Sequence, residues 1–144
     1  MLTNSFAAFQ NRYEPAFATR IGLRYINVFP VLFFKEHGFT CIREVIRDPF
    51  CGPIGHLPLE TDTIEEFSSK TLYKYDELTK YRVIGSVGYD QLTNDKVFVI
   101  DTDVFSQVQN NMNVVSDHLE NFHNIAFDCF LWTLQDGITD LFNE

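Results

Sequence analysis

Three features of the chain describe an α+β fold. Apolar and polar residues alternate in strand-like runs between Phe67 and Phe105, a shorter alternating run lies at Ala18–Asn27, and an apolar period of three to four residues extends from Val115 to Leu141. Together they give an antiparallel sheet of about four strands, packed by a long C-terminal helix and short N-terminal helices. With 144 residues and 45% hydrophobic content, 15 of them Phe, residues 1–144 form one domain. A chain of this length buries roughly 70% of its unfolded surface.

The first element is a short amphipathic helix, with Phe6, Phe9 and Tyr13 at helical spacing after the capping residues Asn4 and Ser5, ended by Pro15. In the first strand, Thr19, Ile21, Leu23 and Tyr25 take one face, and Arg20, Gly22, Arg24 and Ile26 the other. Pro30 opens a helical turn that Gly38 closes. Thr40 is placed to cap a second helix bearing Ile42, Val45 and Ile46, with Asp48-Pro49 stopping it, and Gly52, Pro53, Gly55 and Pro58 make the following stretch irregular.

Three strands then form a meander, at Phe67–Tyr75, Tyr81–Tyr89 and Lys96–Phe105, with a turn at residues 91–95. After a polar linker at Gln107–Asn113, Val115, Leu119, Phe122, Ala126, Phe130, Leu134, Ile138 and Leu141 mark one long helix laid across the sheet, with Gly137 as the expected break.

Charge is unevenly distributed. Residues 1–96 hold all 11 Lys and Arg with 12 Asp and Glu, whereas residues 97–144 hold 8 acids and no base, so the net charge of −9 divides into −1 and −8. The acidic part repels phosphates and no basic block offers a phosphate track, which argues against nucleic acid. Asp136, Asp140 and Glu144 crowd the end of the expected helix, where the dipole disfavours each by about 0.3–1 kcal/mol. That end is expected to fray or to meet positive charge. The most apolar early run, Val28–Phe34, is far short of the ~20 residues of a membrane span, and the first 13 residues lack the pattern of a secretion signal. A soluble cytoplasmic protein with three reduced thiols is the expectation.

The block Arg20-Ile21-Gly22-Leu23-Arg24-Tyr25-Ile26-Asn27 resembles the signature of a sporadically distributed bacterial protein family of unknown function. Ile42-Arg43-Glu44-Val45-Ile46 with Asp48-Pro49 is similar to its next block, and Asp101-Thr102-Asp103 and the Leu119, Phe122, His123, Phe127 and Phe130 pattern resemble its C-terminal part. The resemblance covers most of this chain but only the C-terminal half of the family pattern. It implies a shortened member, or a second polypeptide that supplies the rest, and a patchily inherited gene of the kind carried by mobile elements or defence loci. It brings no catalytic residue and no substrate.

Candidate site residues come from the strand faces. Arg20 and Arg24 flank Gly22 on one face, leaving room to grip a small carboxylate or phosphate with forked hydrogen bonds. Alternatively they neutralise Asp101 and Asp103, which also share a strand face. A lone D-x-D is a weak cation signal. His118 and His123 are five apart and do not form an i,i+4 metal pair; beside the Phe122 and Ala126 stripe, His123 is expected as a partly buried, hydrogen-bonded core residue and not a catalytic base, and it stands with Arg20, Arg24, Asp101 and Asp103 as a candidate for ligand or partner binding. Cys129 reads as core, and Cys41, Cys51 and His56 match no ordinary zinc spacing. No metal or cofactor is therefore expected.

With no catalytic set in the pattern, a non-enzymatic binding or assembly module is the favoured reading. Its expected partners are a second copy, through an uncovered sheet face or strand edge, or another protein. The alternative is an enzyme binding a small molecule or anion around Arg20, Arg24, Asp101 and Asp103.

Overall fold

In the computed structural model, which describes residues 2–58 and 64–142, four antiparallel strands make one sheet and a long helix lies across one of its faces. Helix α1 (Leu2–Tyr13) ends before Glu14, which has a φ of 43°, and Pro15. Its described side chains are exposed: the Phe9 and Tyr13 rings meet each other at a tilt of 40°, centres 5.2 Å apart.

A two-residue strand β1 (Phe17–Ala18) leads into β2 (Ile21–Pro30). The expected strand thus starts later and runs further, because Phe29 prolongs the buried parity and Pro30 sits at the end of an edge strand, where a missing N–H is tolerated. Helix α2 (Val31–Glu36) follows Pro30 and closes near Gly38, whose φ of 81° suits glycine.

Where a second helix was expected, Ile42–Glu44 form only a 3-10 turn. Glu44 accepts hydrogen bonds from the Thr40 and Cys41 N–H groups, so Thr40 donates to the turn while Cys41 occupies the cap. Ile42, Val45 and Ile46 are buried as the spacing required, but the helix cannot continue, because Ile46 bridges to Leu134 and Arg47 N–H donates to the Thr133 carbonyl. Asp48-Pro49 then opens a helix, α3 (Asp48–Cys51), with no stop there: proline is accommodated in a first turn. Gly52–His56 is a further 3-10 turn.

The meander is close to expectation: β3 (Phe67–Lys74), β4 (Thr79–Tyr89) and β5 (Lys96–Ser106). The Asp76 carboxylate accepts from the Leu78 and Thr79 N–H groups, both at 2.7 Å, and fixes the first turn. Asp90 does the same for Leu92 and Thr93 in the second. The strand order is β2-β5-β4-β3, so β2 and β3 are the two edges. A small strand β6 (Asn110–Asn111) pairs with β1.

Helix α4 (Val115–Thr133) buries Val115, Phe122, Ile125, Ala126 and Cys129 against the sheet. It ends before the expected break at Gly137. Leu134 is extended at the cap, its carbonyl accepts from Arg47 Nε at 2.7 Å, and Gln135 N–H donates to Val45 O, so pairing with the Ile46 segment replaces helical bonds. Leu134 and Ile138 keep the apolar period because they are buried, although not as part of α4. Asp136 lies beyond the helix and meets Arg47 at 2.7 Å, giving the acidic end the positive charge it needed; Glu144 lies outside the described residues.

Two packed clusters fill the helix side. Ile21, Val104, Phe122 and Ala126 pack under α4, while Phe29, Phe34, Ile46, Phe50, Phe98 and Leu134 fill the end covered by α2, α3 and the turns. Each fully buried side chain of this size contributes about 1.5–3 kcal/mol. Strand parity places Thr102 and Val104 towards the helix and Asp101 and Asp103 towards the other face, which is open to solvent.

Candidate functional site

The register places Arg24, Asp103 and Arg82 directly opposite one another on β2, β5 and β4. Arg24 leans one pair along and grips Asp101 with two parallel bonds, Nε to Oδ1 at 2.7 Å and Nη2 to Oδ2 at 2.6 Å. Arg20 Nη2 donates to Asp103 Oδ1 and Oδ2 at 3.2 and 3.1 Å, and Arg82 Nη2 donates to Oδ2 at 2.7 Å. Asp103 is only 5% exposed, between two cations. The space over Gly22 that the sequence leaves for a ligand is taken by the Arg20 guanidinium itself, which lies 5.1 Å from the centre of the Phe105 ring.

The structure therefore brings all four predicted residues together as a ladder of ion pairs, with the Arg20 and Arg24 forks turned onto Asp103 and Asp101. Arg82 is the member that sequence reasoning missed. The signal was available, since it alternates with Ile84 on the open parity of the central strand β4.

His123 is elsewhere, on α4, and it is exposed and not a core histidine. Its Nδ1 is 2.7 Å from the Tyr25 hydroxyl, which donates when the ring carries its proton on Nε2. The pair forms the mouth of a cleft between α4 and the β2 edge, lined also by Asn27, Ala126, Phe127 and Phe130. Its volume of about 200 Å³ falls below the ~300–1,000 Å³ of ordinary ligand pockets. Phe127 beside it is 53% exposed and Leu131, one turn on, 37%.

The thiols are free. Burial, and then the nearby Asp48 charge, push Cys51 up to about 11, and burial pushes Cys129 up to about 11, so both behave as core groups and not nucleophiles. Arg43 Nη1 donates to the His56 ring at 2.6 Å and Arg43 also pairs with Asp48. Among the described residues no group of three His, Cys, Asp or Glu is placed to hold a metal ion, and no helix is long and apolar enough to cross a membrane. No protein family, curated protein or solved structure matches the chain.

Proposed function

We propose that the protein is a non-enzymatic assembly module whose copies pair through the β2 edge. The observation that carries this reading is the contrast between the two edges of the sheet. Strand β3 bears the exposed Lys70 and Lys74, charges that discourage strand addition. Strand β2 is ten residues long, and its one charge, Arg24, is held by Asp101 within the same chain.

Its apolar side chains are exposed on both faces: Ile26 and Val28, 56% and 51% exposed, on the open face, and Phe127 and Leu131 of α4 beside it on the other. An antiparallel pair of β2 strands centred near Ile26 sets Arg24 of one copy against Val28 of the other, so like charges do not meet. The strand is about 33 Å long, and a sheet-and-helix body is about 20 Å thick there. Edge-to-edge contact then covers roughly 660 Å² per copy, near the ~800 Å² per partner of a stable interface.

Light scattering is the test. A mass of twice the 16.8 kDa chain is expected, falling to one chain in a Val28→Lys, Phe127→Glu double variant that still melts cooperatively. A wild-type monomer at all concentrations contradicts the reading. The alternative, an anion-binding enzyme at the Arg and Asp cluster, has less support, because both aspartates already occupy its guanidinium groups.

A further inference from the structure

The net charge of −9 conceals a face of the opposite sign. Strand parity sends Lys70 and Lys74 of β3, Lys80 and Arg82 of β4, and Arg24 of β2 to the open side of the sheet, and Arg20 lies over the same side. Six of the chain's 11 basic residues thus share a face with Asp101 and Asp103 of the strands and with Glu77, which pairs with Lys74 at 2.7 Å, leaving +3 there and −12 on the rest of the chain. Lys70 and Lys80 are exposed, and among the described residues neither has an ion-pair partner.

The apolar groups on this face are also ordered. Leu72, Ile84, Val99 and Pro30 step across β3, β4, β5 and β2, each one strand over and one pair along from the last. The diagonal runs about 25 Å at roughly 35° to the strands, the length of about 16 helical residues. Val28 and Ile26 widen its β2 end, and Leu72, 55% exposed, stands at the other. Lys80, Arg82 and Arg24 lie along one side of it and Lys70 along the other.

We propose that the open face is a docking surface for an acidic amphipathic helix of a protein partner, its apolar stripe on the diagonal and its carboxylates over Lys70 on one side and Lys80 on the other. Charge complementarity chooses this occupant. A second copy docked face to face would set +3 against +3. Single-stranded nucleic acid calls for exposed aromatic platforms, whereas the aromatic ring that the four strands place on this face, Phe105, is 8% exposed beneath Arg20 and their other apolar groups there are aliphatic. The inference is independent of β2 pairing, which takes up Ile26 and Val28 at one edge and leaves Leu72, Ile84, Lys70 and Lys80 clear.

Fluorescence anisotropy on the full chain tests it with four probes: a labelled synthetic peptide of about 18 residues carrying a Leu stripe flanked by Glu, a scrambled peptide of the same composition, a single-stranded oligonucleotide, and vesicles containing phosphatidylserine. The amphipathic peptide is expected to bind best, more weakly as salt rises from about 50 to 300 mM. A Lys70→Glu, Lys80→Glu variant, with an unchanged melting temperature and oligomeric mass, is expected to bind it about tenfold more weakly. Equal binding of the scrambled peptide, tighter binding of the oligonucleotide or vesicles, no peptide binding, or peptide binding indifferent to the two substitutions would each overturn the proposal.

Discussion

Arg82 and Asp103 stand directly opposite each other on β4 and β5, and the Arg82 guanidinium closes on the buried carboxylate at 2.7 Å while Arg20 approaches it from the other side. Removing that carboxylate leaves two cations facing each other over the sheet. Since the arginine side chains are 34% and 49% exposed, solvent absorbs much of the loss, and Asp103→Ala is expected to cost about 2 kcal/mol by denaturant unfolding. Asp101→Ala, which frees the more exposed Arg24, should cost less. A reversed order would mean that Asp103 does not hold the ladder.

Gly85 marks the place where α3 touches the sheet. A Cβ there would collide with the Phe50 carbonyl, a backbone atom that cannot rotate away. Gly85→Ala should therefore destabilise by about 1–3 kcal/mol, read from the shift in denaturation midpoint, while Gly88→Ala, with open space at its Cβ, should cost less.

Beneath α4, the buried Thr102 hydroxyl finds no oxygen or nitrogen partner among the described residues and faces only the weakly hydrogen-bonding Cys129 thiol. Thr102→Val keeps the shape and removes the stranded group, so stability should rise by about 1 kcal/mol. A fall in melting temperature would show that the hydroxyl is satisfied.

Asp76 and Asp90 are held below the ordinary carboxylate value by backbone N–H donors, Leu78 and Thr79 for the first, Thr93 and Leu92 for the second. A folded value lower than the unfolded one stabilises above the unfolded value, near 3.8, and that contribution is lost as pH falls through the folded value. Carboxylate titration by NMR should place both below 3.8, and Asp76→Ala should flatten the loss of stability in acid. An ordinary value for Asp76 would contradict the turn geometry.

The thiols separate by burial. Cys51 and Cys129, pushed up to about 11 and nearly inaccessible, should resist a disulfide reagent at pH near 8, while the half-buried Cys41 reacts. Counting labelled thiols by mass before and after unfolding checks this; labelling of all three in the native state would contradict it.

What could be read from the chain followed the range of the interactions. The strands between Phe67 and Ser106 were visible because two-residue alternation is local, and the pairing of Arg20 and Arg24 with Asp103 and Asp101 followed from the same parity. The end of α4 was not visible, because the Ile46 to Leu134 bridge that stops it joins residues far apart in sequence. That bridge also turned the expected helix at Ile42–Ile46 into one 3-10 turn. His123 was misplaced for a similar reason: its Tyr25 partner lies 98 positions away, and nothing local distinguishes the core side of α4 from its β2 flank. The basic face was concealed by counting charge along the chain, since Lys70, Lys74, Lys80 and Arg82 gather only when strand parity is followed through the register.

Amide hydrogen exchange along the two sheet edges, measured at low and high protein concentration, tests the assembly claim most directly. N–H groups of β2 should gain protection as concentration rises while those of the lysine-guarded β3 do not. Protection that stays constant at β2, or rises at β3 instead, would contradict it.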